Sequence, residues 1–188
     1  MSNADRIIRQ LDSHLDHPVS LVLYGRAAIA LGYENPPAPV KLSLDVDGII
    51  PNSEIEKFRA DSGFWDAQEA TNRDLEKEGL YITHLFTAAD VFLRADWESQ
   101  IVPIELSGLR WLHLFRPATT DLVLTKMMRG DDPQDMADIQ FLIQRDQITP
   151  EQMEAAFASV QISDLVELRD AFNLAKPTVL KIARAFRK

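Results

Sequence analysis

Residues 20 to 50 constrain the fold more than any other stretch. SLVLYG is a short β-type run that stops at Gly25, RAAIALGY returns at once to strong helix formers, and ENPPAPV is a turn-rich loop leading into KLSLDVDGII. A strand, a tight turn and a helix within about 15 residues, followed by a second strand, require a mixed α/β arrangement. The second strand has period two. Ser43, Asp45 and Asp47 alternate with Leu42, Leu44 and Val46, so an extended chain puts the three polar residues on one face and the three apolar ones on the other.

Two ionised carboxylates on adjacent same-face positions repel, which costs stability unless water, a basic residue or a cation offsets it. Two readings follow from the spacing. One is a solvated edge strand with its polar residues outward. The other is a cation site, because Mg²⁺ takes oxygen ligands and is usually held by one or two carboxylates together with substrate phosphates.

The remaining pattern sets the surroundings. ADRIIRQLDSHLD places Ile7, Ile8, Leu11 and Leu15 at helical spacing, and Pro18 disfavours helix at His17. SEIEKFRADSGFWDAQEATNRDLEKEG reads as mostly helical with an interruption at Ser62-Gly63. LYITHLF, QIVPIEL and LRWLHLF read as strands, the second at an edge because Pro103 lacks an amide proton. From Arg116 onward only helices are expected. Thr119 or Thr120 caps DLVLTKMMRG and Gly130 closes it. Pro133 opens PQDMADIQFLIQRD, which turns Met136, Ile139, Phe141, Leu142 and Ile143 to a core. Thr149, Pro150 and Gln152 form a capping-box pattern, and the last helix is expected to break or kink near Pro177. The expected fold is α+β: a small mixed sheet flanked by helices over residues 1–116, then a helical bundle over 117–188 packed on it, the whole short enough for a single domain.

Composition narrows the function. Lys plus Arg number 20 against 29 for Asp plus Glu, a formal charge of −9, which argues against wrapping duplex DNA while leaving room for a local basic patch. There is no cysteine, so disulfides and thiolate metal sites are excluded and a cytoplasmic location is expected. No apolar run approaches the roughly 20 residues of a membrane span. His14, His17, His84 and His113 show no metal-ligand spacing on a shared element.

LVLYGRAAIALGY, eight residues, and then LSLDVDG resembles the opening of the polymerase-beta-type nucleotidyltransferase fold, in particular its minimal bacterial members and the AbiEii-like toxin branch. There a strand enters a Gly-Gly or Gly-Ser turn, a helix follows, and the next strand presents a D-x-D pair. Ser43-x-Asp45-x-Asp47 is similar to the T-x-D-x-D of that branch. The resemblance implies that Asp45 and Asp47 hold Mg²⁺ and act in catalysis, and that Gly25, Arg26 and Ser43 line the phosphate site, where turn and helix N–H groups can hold phosphate. RPATTDLVLTKMMRGDDPQDMADIQFLI resembles a later segment of the same branch through Asp121, Lys126, Arg129, Asp135 and Asp138. Lys126 and Arg129 share a helix face, as do Asp135 and Asp138. They are read either as nucleotide-binding cations with supporting carboxylates or as an ion-pair cluster between two helices.

Two departures from the pattern stand out. Arg26 replaces the second small residue of the turn, which gives either a bidentate phosphate contact or a side chain that blocks close approach. The third carboxylate expected on a later strand is not evident; the candidates for its position are His84, Asp90 and Glu105. The function implied is Mg²⁺-dependent transfer of an NMP group from an NTP to a hydroxyl on an RNA end or a protein, in a toxin with an antitoxin partner. The alternative is a catalytically impaired descendant that serves as a nucleotide-binding or protein-interaction module.

Overall fold

The computed structural model describes residues 1–83 and 85–186; the expectation placed on His84 lies outside them. In chain order the elements are α1 (Asn3–His14), β1 (Val19–Tyr24), α2 (Gly25–Gly32), α3 (Ala38–Lys41), β2 (Asp45–Ile50), α4 (Ile55–Ala60), α5 (Ser62–Leu75), β3 (Tyr81–Ile82) and β4 (Phe86–Thr87). They continue with β5 (Leu93–Arg94), β6 (Val102–Ile104), β7 (Leu112–Arg116), α6 (Thr119–Lys126), α7 (Pro133–Asp146), α8 (Pro150–Ser159), β8 (Val160–Gln161) and α9 (Val166–Ala185). The fold is α+β, with a mixed sheet and helices. The chain divides into two compact units, one of Met1–Thr87 with Ile101–Arg116, the other of Ala88–Gln100 with Pro117–Lys188.

The first unit holds the main sheet, ordered β3-β2-β1-β7-β6, with β4 also pairing β2. β1 runs antiparallel to β2 and parallel to β7, while β6 is antiparallel to β7. Pro103 sits on β6 at the sheet's end, where a missing N–H breaks no ladder on the open side. α1 folds as its spacing demands: Ser2 caps it by accepting from the Asp5 N–H, and Ile7, Ile8 and Leu11 are fully buried. Burial of side chains of that size is worth about 2 kcal/mol each. Asp12 of the same helix is buried too, and its carboxylate accepts from the backbone N–H groups of Arg110, Trp111 and Leu112, each at 2.8 Å. A helix residue therefore fixes where β7 begins.

The DVDG strand departs from its expected start. Residues 38–41 form the short helix α3, with Pro39 tolerated in its first turn, and the chain becomes extended only at Asp45. Leu42 and Leu44, expected to share a strand face with Val46, are 69% and 54% exposed, whereas Val46 is fully buried. The alternation holds from Asp45 to Asp47 and not before.

LYITHLF, expected as one strand, is two. β3 pairs β2 at Asp45–Tyr81 and Val46–Ile82, and β4 pairs it at Ile49–Phe86 and Ile50–Thr87, all parallel. Between these stretches β2 advances from Val46 to Ile49 while its neighbour advances one residue further, from Ile82 to Phe86. Gly48 is needed for packing, since an added Cβ would fall 2.7 Å from Leu85 Cδ2 and 3.2 Å from Leu21 Cδ1.

The second unit is helical with one small sheet. β5 and β8 pair antiparallel, so the expectation of helices alone beyond Arg116 fails at Val160–Gln161. Neither Thr119 nor Thr120 caps α6; the N-cap position is Ala118, and the Thr119 hydroxyl bonds Asp146 instead. Thr149 and Gln152 form the reciprocal capping box on α8, and Asp132 caps α7 ahead of Pro133. α7 buries Ile139, Leu142 and Ile143, while Met136 and Phe141 are only half-buried. α9 runs through Pro177 as one helix from Val166 to Ala185. Among the described residues no helix is long and apolar enough to cross a membrane.

Candidate functional site

In the first unit, β1 delivers the chain to Gly25 at φ +62°, a backbone conformation that side chains other than glycine resist. α2 starts there, and the side chain of its N-cap residue, Tyr24, makes no capping hydrogen bond. β2 lies beside β1 with Tyr24 opposite Asp47, so the Gly25 turn and the second aspartate are neighbours. A Cβ added to Gly25 would lie 3.2 Å from Asp47 Oδ2. The missing methyl group leaves a cradle between backbone and carboxylate.

Each aspartate receives a hydroxyl. Ser43 Oγ donates to Asp45 Oδ1 at 2.8 Å, and Thr83 Oγ1 donates to Asp47 Oδ1 at 2.8 Å. Ser43 thus lies in the chain before β2 and reaches Asp45 sideways instead of standing on a shared strand face. Tyr81, the register partner of Asp45, is exposed, as are Leu42 and Leu44. Arg26 follows Gly25 in the first turn of α2 and is half-buried.

The donor set suits Mg²⁺ that takes its other ligands from a nucleotide: two carboxylates, hard oxygens only, beside a positive-φ glycine turn where a helix starts. Among the described residues no group of three or more His, Asp and Glu side chains is arranged to hold a metal by itself. Of the positions considered for a third carboxylate, Glu105 lies just past β6, with β7 and β1 between it and β2. Asp90 belongs to the second unit, where it is exposed.

The second unit holds the other expected site residues. Lys126 Nζ donates to Asp135 Oδ1 at 3.0 Å and Asp138 Oδ2 at 2.8 Å, and Arg129 Nε donates to Asp135 Oδ2 at 2.6 Å. The Lys126 side chain is only 10% exposed and that of Arg129 58%. Burial pushes the Asp135 carboxyl up, yet the Arg129 hydrogen bond and the Lys126 charge outweigh it and hold it below the usual carboxylate value. Asp121 is fully buried and accepts from the backbone N–H and the guanidinium of Arg94, whose own pKa is raised chiefly by those bonds. These six residues form two ion-pair clusters joining α6 to α7 and to β5.

Residues 1–178 match the model of a family described as nucleotidyltransferase of unknown function (DUF6036). The chain belongs to this family. No curated protein and no solved structure matches it.

Sequence reasoning missed several residues of this nucleotidyltransferase. Thr83 is one, since it follows the two-residue strand β3 and no periodicity marks it. Gln68 and Asn72 are two more: Gln68 Nε2 donates to the Thr83 carbonyl at 2.5 Å, while Asn72 accepts from the Ile82 N–H at 2.6 Å and donates to the Ile82 carbonyl at 2.9 Å. The available signal was their spacing of four on one helix face, polar residues on a helix that also buries Phe64, Ala67 and Leu75.

Proposed function

We propose that this nucleotidyltransferase is Mg²⁺-dependent and moves an NMP group from an NTP to an acceptor hydroxyl on an RNA end or a protein. The observation that carries this reading is the approach of Asp47 Oδ2 to the positive-φ turn at Gly25, which sets a carboxylate beside the start of helix α2. Asp45 and Asp47 would hold the ion, which when bound supplies neutralisation of phosphate charge and lowers the pKa of the acceptor hydroxyl.

The chain's own residues do the rest. The first N–H groups of α2 attract phosphate through their partial positive charge, and Arg26 reaches it with a two-pronged donor. Ser43 fixes Asp45 through Oδ1 and leaves its other oxygen for the ion, while the acceptor hydroxyl gives its proton to water as the acceptor oxygen bonds to the α-phosphorus and pyrophosphate leaves. Leu44 and Tyr81 offer exposed apolar surface beside Asp45 on which a nucleobase can lie. The likeness of Ser43-x-Asp45-x-Asp47 to the AbiEii-like branch supports a toxin held in check by an antitoxin partner.

A second reading has its own support. Thr83, a hydroxyl and not a carboxylate, stands beside Asp47, and a site with two carboxylates favours nucleotide binding over fast turnover. Labelled NTPs incubated with the protein and total tRNA separate the two. Transfer that Asp45→Asn abolishes supports the enzyme; calorimetric binding of Mg·NTP without incorporation supports the module; neither binding nor transfer with any NTP or metal sinks both.

A further inference from the structure

We infer that the cleft where β6 leaves β7 is a second binding site, apart from the aspartates, and that it takes an apolar α-amino acid as a zwitterion.

The cleft exists because strand pairing stops early. β6 matches β7 over Val102–Ile104 against Arg116–Leu114 and no further. The connection then swings away before it returns as β7, and the space it leaves beside Leu112–Phe115 amounts to about 260 Å³. That is a little under the roughly 300–1,000 Å³ of pockets for drug-sized ligands, so the occupant is smaller than those. Leu112 and His113 pair Val19 and Ser20 at the start of β1, whereas Asp47 pairs Tyr24 at its end. The cleft and the second aspartate therefore lie toward opposite ends of that strand.

The lining sets the chemistry. Glu105, Arg110 and His113 supply one carboxylate and two groups able to donate to an anion, while Leu106, Leu109 and Phe115 supply apolar surface. The carboxylate repels a simple anion and the arginine repels a simple cation, whereas a molecule with both charges and an apolar body meets the whole lining. Among the described residues no ion pair joins Glu105 to Arg110 or to His113, so these charges do not neutralise one another.

The wall is in place before a ligand arrives. Arg9 Nη1 donates to the Ser107 carbonyl at 3.1 Å, and Asp12 accepts from the N–H groups of Arg110, Trp111 and Leu112, so α1 pins the connection at two points. Gly108 turns between them at φ +86°, a conformation that glycine adopts without strain. The Arg110 guanidinium lies over the Trp111 ring, 4.6 Å from its centroid, which restricts where its charge can go. Such preorganisation lowers the entropic cost of binding.

The test titrates the whole protein with leucine alone, followed by calorimetry and by the backbone amide NMR signals of residues 112–115. Leucine should bind and shift those signals, and glycine should bind less tightly for want of an apolar body. Arg110→Gln and Glu105→Gln should each weaken leucine binding by about 10- to 100-fold, the size expected for hydrogen bonds to charged groups. Both residues are exposed, so each variant should melt near the wild-type temperature. Leucine amide, which lacks the carboxylate, should bind weakly and be indifferent to Arg110→Gln. N-acetyl-leucine, which lacks the ammonium group, should be indifferent to Glu105→Gln, a matching that a damaged fold would not produce. Signals left unmoved by both leucine and phenylalanine overturn the inference, as does leucine binding that both variants leave at wild-type strength. Acetate bound as tightly as leucine overturns it as well, since a simple anion would then account for the site.

Discussion

Gly25 and Asp47 approach so closely that a single methyl group on the former would stand 3.2 Å from an oxygen of the latter. Gly25→Ala should therefore act twice. The left-handed backbone there costs about 1–2 kcal/mol for an L-residue, and the methyl group crowds the carboxylate. Thermal unfolding should show the first effect, and calorimetry with Mg·NTP should show binding weakened by more than the stability loss explains. Unchanged binding in a folded variant would separate the turn from the nucleotide.

Lys126→Ala leaves Asp135 and Asp138 buried without the cation they share. Removing one partner of a buried pair costs about 3–5 kcal/mol, so urea unfolding of this variant should shift by that order. The exposed Arg129 should matter far less on its stem side, and Arg129→Lys should lie close to wild type in stability because only one of its bonds goes to a buried carboxylate. Equal losses at the two positions would contradict the burial argument.

Asp12→Ala strips three backbone N–H groups of a charged acceptor at the start of β7. With hydrogen bonds to charged groups worth about 1.5–3 kcal/mol each and not additive, a loss on the order of 3 kcal/mol is expected. Asp12→Asn keeps one acceptor oxygen and should lose less. Hydrogen exchange at Arg110, Trp111 and Leu112 should accelerate in both variants, and protection equal to wild type would disprove the clamp.

His17 lies between Asp16 and Asp61, 2.7 Å from the first and 2.9 Å from the second. The hydrogen bonds to Asp16 and then Asp61 raise its pKa. Burial pushes Asp61 up, but the His17 and Phe64 N–H bonds outweigh it and leave its pKa lowered. A raised histidine pKa contributes stability that is complete below the unfolded value near 6.5 and disappears as pH rises through the higher folded value. For Asp61 the contribution is present above the ordinary carboxylate range and disappears as pH falls through its lowered value. The melting temperature should consequently drop from pH 6 to pH 8 in the wild type and stay flatter in His17→Gln. Parallel profiles would show that the two carboxylates do not sense the imidazole.

Tyr81→Ala should weaken NTP binding by about 1 kcal/mol or more if a base lies on the ring, with Tyr81→Phe close to wild type. Competition binding with the four NTPs measures both, and identical affinities for alanine and wild type would remove Tyr81 from the site.

Much of the first unit was legible in the sequence. Strand, Gly25 and helix follow from a change of hydrophobic period that local residues enforce, and Pro103 marks its edge strand for want of one proton. The capping box at Thr149 is equally local. What the pattern concealed depends on distant partners. Asp12 is one polar residue on an amphipathic helix until Leu112 folds against it, a hundred positions later. Leu42 and Leu44 continue the alternation of β2 on paper, but Pro37 and Pro39 bracket the start of a short helix that leaves both side chains outside. β5 and β8 are too short for any period to register, and they meet only because Leu93 and Arg94 reach Gln161 and Val160. Thr83 follows the two-residue strand β3, too short for any period to aim its side chain at Asp47.

Residues 88–100 leave the unit on either side of them and belong to the second one, where Arg94 serves the buried Asp121 and Phe92 packs its ring edge-on against Phe172. The chain is thus laced, not beaded: no single cut divides it into two whole pieces. A chain ended at Arg116 would carry Arg94 without its carboxylate and Phe92 without its aromatic neighbour, an apolar flap with nothing to close on. Any gene fusion, split or shuffling of this nucleotidyltransferase has to move both strands of that lacing together.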